Sequence, residues 1–93
     1  MNDKFIDMQI SNLADALVRN INDNFISVSF DILNNGHIYV KIILEKYTEV
    51  EKEYIEDISG EFTASQESDI VEEFEVIVDK KNRPLKYLVF RRK

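Results

Sequence analysis

Carboxylates are the chemically capable side chains this chain holds in quantity. Twelve of its eighteen acids fall between residues 48 and 79, where Lys52 is the one base. Carboxylates can ligate metals, move protons, or meet cationic partners, and spacing separates these uses. A calcium or magnesium site needs several oxygens converging on one point. Neither the helical spacing of Glu49, Glu53, Glu56 and Asp57 nor the strand spacing of Glu72, Glu73 and Glu75 brings three carboxylates together locally, so no metal site is predicted. The stretch from Asp31 to Gly36 imitates a calcium loop only in part, because Leu33 replaces a ligand and Ile42 stands where the bidentate glutamate belongs.

His37 is the single histidine, and Ser27, Ser29 and Asp31 precede it by hairpin-like distances. A nucleophilic system needs such a trio in mutual hydrogen-bond reach. Their proximity here is what any hairpin produces, so no catalytic residue is assigned and the chain is read as a non-enzyme. With no cysteine, thiolate chemistry, disulfides and cysteine-ligated metals drop out together, and no cofactor motif is present. The absence of cysteine and of a signal-like N-terminus points to the cytoplasm, and no apolar run approaches the ~20 residues that span a bilayer.

What remains is electrostatics. Net charge runs from −2 over residues 1–47 to −11 over 48–79 and +7 over 80–93. Such a division concerns partners more than reactions. The outer face of the second helix, with Glu49, Glu53, Glu56 and Asp57, is a candidate surface for a basic partner, extended by Glu72, Glu73 and Glu75, with Tyr54 as a candidate anchor beside Tyr47 and Tyr39. The alternative is a solvated face that keeps the chain in solution. The basic end, Lys80 to Lys93, carries Tyr87 and Phe90 and so resembles a single-strand nucleic-acid surface in composition. The acidic block before it would repel phosphate, and a last strand lying beside the third would set Lys86 against Glu73 and Glu75. Nucleic acid and membrane are therefore disfavoured as partners.

The elements that must position these residues follow from periodicity. Ile6, Ile10, Leu13, Ala14, Leu17 and Ile21 recur at steps of three and four and predict a first helix. Ile26, Val28, Phe30 and Ile32 alternate with polar residues, as do Ile38, Val40, Ile42 and Leu44, and Asn34-Asn35-Gly36 between them predicts a hairpin. Thr48 and Glu51 have capping-box spacing at the start of a second helix with the stripe Val50, Tyr54, Ile55, Ile58 and Phe62. That helix carries Gly60 and is expected to fray over 64–68. Strands over 70–78 and 85–90, joined by the polar turn 79–84, are expected to form a second hairpin.

The predicted architecture is a single α+β domain over residues 1–93, of order α-β-β-α-β-β. A four-stranded antiparallel sheet carries both helices on one face as a two-layer sandwich, because two helices cannot cover two faces.

With this size, element order and acidic segments such as Thr48-Glu49-Val50-Glu51-Lys52-Glu53-Tyr54-Ile55-Glu56-Asp57, the chain resembles the small acidic immunity proteins of bacterial polymorphic toxins, including contact-dependent growth inhibition systems. The resemblance implies a cytoplasmic protein that binds one toxin domain, often a basic nuclease, and blocks its active site or substrate surface. Two other classes stay open: a small homodimeric structural or regulatory module, and a single-stranded nucleic-acid binder using the sheet and the basic last strand.

Overall fold

The computed structural model describes residues 3–33, 36–67 and 70–93. The elements are α1 (Asp3–Leu17), β1 (Phe25–Ile32), β2 (Ile38–Leu44), α2 (Glu49–Ala64), β3 (Glu72–Val78) and β4 (Tyr87–Arg91). Both helices contribute to one apolar core with one side of the sheet. Leu13, Ala16 and Leu17 from α1 and Ile55, Ile58 and Phe62 from α2 meet Val28, Phe30, Val40, Ile42 and Leu44.

Both helices depart from their predicted stripes, and Ile21 lies beyond the end of α1 at Leu17. In α1 the buried line runs through Gln9, Leu13, Ala16 and Leu17, and Ala14 is exposed. Gln9 can face inward because its amide pairs reciprocally with Gln66, Nε2 to Oε1 at 2.9 Å and back at 2.7 Å. That pairing satisfies both side chains as they leave water. In α2 Val50 is half exposed, while Glu51, Ile55, Ile58 and Phe62 are covered. The helix continues through Gly60 and stops at Ala64, where the Ser65 N–H caps the carbonyls of Glu61 and Phe62.

The first hairpin forms as its turn residues dictate. β1 and β2 pair antiparallel with Phe30 opposite Val40. Gly36 has φ +82°, its N–H donates to the Leu33 carbonyl at 2.9 Å, and the Leu33 N–H donates to His37 O at 2.8 Å. Positive φ at that position is what glycine supplies without a Cβ penalty. Asn34 and Asn35 lie outside the described residues.

The second hairpin does not form, and the sheet is mixed rather than antiparallel. Strand order is β3-β2-β1-β4. β3 pairs with β2 in parallel, Val40 opposite Phe74, while β4 pairs with β1 antiparallel, Phe30 opposite Tyr87. The cause is the helix between β2 and β3. A 16-residue helix is about 24 Å long, close to the ~23 Å of a seven-residue strand, so α2 returns the chain to the level at which β2 began. A strand entered from there runs parallel to β2.

β3 and β4 thus occupy opposite edges. The segment 79–86 crosses between them on the side of the sheet away from the helices, where the Lys41 ammonium donates to the Arg83 carbonyl at 3.0 Å and the Leu85 N–H donates to Ser29 Oγ at 2.8 Å. Ile43, which alternates to that side, is fully buried.

Replacing Gly36 by alanine is expected to cost about 1–2 kcal/mol, the penalty of a Cβ in the left-handed region. Urea unfolding would show a lower midpoint with an unchanged slope.

Candidate functional site

Among the described residues, one acid of the central block is set apart by its burial. Glu51 is 1% exposed, and its carboxylate ties the start of α2 to the loop between α1 and β1. Oε1 accepts from the Thr48 N–H at 2.7 Å and from Thr48 Oγ1 at 2.6 Å, while Oε2 accepts from Asn22 Nδ2 at 2.7 Å and Asn24 Nδ2 at 3.1 Å. These donors, the Thr48 hydroxyl foremost, then Asn22 and the Thr48 backbone, hold the carboxyl at about 2 against an ordinary 4.5. The capping-box spacing announced half of this arrangement. The asparagine half carries no local spacing signal, because Asn22 and Asn24 lie 29 and 27 residues from Glu51.

The other α2 acids point outward. Glu49, Glu53, Glu56, Asp57 and Glu61 are all exposed, as is Lys52. Among the described residues both ion pairs go elsewhere, to Glu45 at the end of β2: Lys80 at 3.4 Å and Arg92 at 3.0 Å. Hydrogen bonding and charge from these two cations lower the Glu45 pKa. Tyr54 is half buried with its ring 6.5 Å from Phe25, so part of it belongs to the core. Tyr47 is nearly half exposed beside the N-terminus of α2.

The acids of β3 divide between the two sides of the sheet. Glu72, Phe74, Val76 and Val78 share the helix-facing side, where Phe62 meets Phe74 edge-on at 6.1 Å. Glu73 and Glu75 alternate to the opposite side, next to Tyr39 and Lys41 of β2. The Tyr39 hydroxyl has its pKa raised by desolvation first, then by hydrogen bonding with Glu75 and the nearby charge of Glu75 and Glu73. Glu72 Oε1 is shielded from solvent with no hydrogen-bond partner among the described residues. The acids expected to form one continuous surface are therefore two groups with the sheet between them, α2 on one side and Glu73 with Glu75 on the other.

The basic end is not where strand pairing was expected to put it. β4 is separated from β3 by both central strands, so Lys86 does not lie across from Glu73 and Glu75, and the residue opposite Glu75 is Lys41. Arg92 instead donates to the Asp23 carbonyl at 2.6 Å as well as to Glu45. Lys86 sits 5.3 Å over the Tyr87 ring, whose other contact is Phe30 at 5.1 Å. Tyr87 and Phe90 both pack against the core. Ser29 lies opposite Lys41 and its Oγ accepts from Leu85, and Asp31 lies opposite Tyr39 and its Oδ1 accepts from the Ile32 N–H. Among the described residues no three His, Cys, Asp or Glu side chains are grouped to hold a metal.

A family model for the MafI2 immunity proteins matches residues 8–93. The chain belongs to that family. No curated protein matches it. The match takes in most of α1 and every later element, so the outer face of α2 and both edges of the sheet are parts of the MafI2 immunity protein unit. No helix among the described residues is long and apolar enough to cross a membrane.

The depressed Glu51 carboxyl makes the stability of this MafI2 immunity protein acid-sensitive. A group whose folded pKa lies below its unfolded value stabilises fully above the unfolded pKa, so the contribution stands above about pH 5 and is lost as pH falls toward about 2. Denaturant titrations across that window are expected to show the loss in wild type and a flatter profile in Glu51→Gln, which starts from lower stability at pH 7.

Proposed function

We propose that this MafI2 immunity protein acts in the cytoplasm by binding and neutralising a basic toxin domain, a nuclease, and that the outer face of α2 carries much of the contact. The observation behind this reading is the state of that face. Glu49, Glu53, Glu56 and Asp57 are exposed on one helix with Lys52 as the nearby base, while the ion pairs of the basic segment go to Glu45. Like charges at three- and four-residue spacing cost a few tenths of a kcal/mol each. Family membership supplies a use that offsets this cost, since an immunity protein must find its toxin quickly.

A nuclease grips phosphates with cations, and a carboxylate surface competes for the same groups. Acidic complementarity raises the association rate and selects the partner. Tyr47 and the accessible part of Tyr54 would provide aromatic anchors within the acidic rim, the arrangement that concentrates binding energy at interfaces. Glu72, Glu73 and Glu75 form a second acidic contact region along β3. Inhibition by occlusion needs no cofactor, metal or catalytic group from the immunity protein.

The test is a triple variant, Glu53→Gln, Glu56→Gln and Asp57→Asn, against the toxin-like C-terminal domain encoded by the neighbouring gene. Stopped-flow association should slow about tenfold at low salt and converge with wild type as salt screens the charges. The thermal midpoint should not fall, because repulsion is relieved. An unchanged, salt-insensitive association rate would remove α2 from the interface.

A further inference from the structure

β3 is an edge strand, and among the described residues no other strand uses its outer hydrogen-bonding side. Its register settles which groups are involved. The Ile38 N–H donates to the Val71 carbonyl at 2.9 Å, and Ile38 lies opposite Glu72. In a parallel ladder this commits the backbone groups of Val71, Glu73, Glu75 and Ile77 to β2. Those of Glu72, Phe74, Val76 and Val78 therefore point outward.

The side chains along this edge are sorted by face. Toward the helices, Val78 is 52% exposed, and Phe74 and Val76 are half buried, an apolar ledge that α2 leaves incompletely covered. Away from the helices stand Glu73 and Glu75. Charges on an edge strand commonly serve to prevent unwanted pairing. That role is best served by lysine, proline or inward-pointing charges; Glu72 at the start of the strand is one such charge, but the helix-facing side chains after it are Phe74, Val76 and Val78. Open backbone groups, an apolar ledge and a row of carboxylates together make a template for one kind of strand.

We infer that the outer edge of β3 is a strand-addition site for an extended segment of the toxin domain, one that alternates lysine or arginine with β-branched or aromatic residues. The added strand pairs with the outward groups of Glu72, Phe74, Val76 and Val78. Its apolar side chains cover Phe74, Val76 and Val78, and its cations face Glu73 and Glu75. Main-chain bonds supply affinity in this mode, and alternate side chains supply specificity. The inference rests on the toxin-binding reading above and adds where and how the toxin backbone engages.

The experiment is residue-resolved amide hydrogen exchange on the full chain, alone and with the C-terminal domain encoded by the neighbouring gene. In the complex, the amides of Glu72, Phe74, Val76 and Val78 are expected to exchange at least tenfold more slowly. A complex in which those four amides are unchanged overturns the edge site and leaves the immunity reading intact. Failure to form any complex overturns that reading and this inference with it. Slowing of the same amides in the chain alone as its concentration rises would assign the edge to a second copy and also overturns the proposal. Val78→Pro removes an outward N–H at the strand end without touching the β2 ladder, a position where proline is tolerated. It should weaken the complex at least tenfold with a thermal midpoint near wild type, and Glu73→Lys should do the same through charge. Wild-type affinity in both variants would count against the proposal.

Discussion

Burial of the β1–β2 hairpin is the constraint on which the rest of this structure depends. Val28, Phe30, Val40 and Ile42 are fully buried, and they lie on the two central strands. A helix laid over them after β2 must run back along the sheet, and its length matches the strand beneath it. β3 then has one available place, parallel to β2 on its free side. β4 takes the free side of β1. The order β3-β2-β1-β4 thus follows from covering a central apolar pair with the helix that immediately succeeds it.

This order decides the electrostatics. Had β3 and β4 been neighbours, the acidic and basic segments would have offset one another across a ladder. Placed at opposite edges, they stay apart, and among the described residues the crossing segment 79–86 brings Lys80 to one acid, Glu45, which Arg92 also engages. Both pairs are partly solvated, where such contacts are worth little. They hold the start of the strap and the residue after β4 beside Glu45 without neutralising the α2 face or the β3 row. The strap also occupies Ser29, and Ile43 on the same side is fully buried, so the side of the sheet away from the helices is partly closed.

Within the acidic block, position rather than charge separates structural from available groups. Glu51 and Glu53 are two residues apart on the same helix, yet one is buried under four donated hydrogen bonds and the other is exposed. The difference comes from Asn22 and Asn24, which lie close to α2 because β1 starts beside the end of β2, with the Glu45 N–H on the Asn24 carbonyl at 2.8 Å. An immunity protein built this way has a helix whose first turn is anchored by a carboxylate while its outward face keeps several others in solvent.

Local patterns by themselves determined a good deal of this protein: two amphipathic helices, four strands, the glycine turn at Gly36, the capping box at Thr48 and the acidity of α2. Each depends on contacts within a few residues, where periodicity and turn chemistry decide. Two clues to the rest were present, a 16-residue helix between β2 and β3 and eight residues from Val78 to Tyr87, long for a hairpin. The polar composition of 79–84 concealed the second. Tertiary structure alone decided that β3 runs parallel to β2, that Gln9 and Asn20 go inside while Val50 stays out, and that Glu73 and Glu75 lie across the sheet from the α2 face. Those outcomes hang on which strand lies beside which, a choice made by covering the central hairpin, and no window of neighbouring residues contains it.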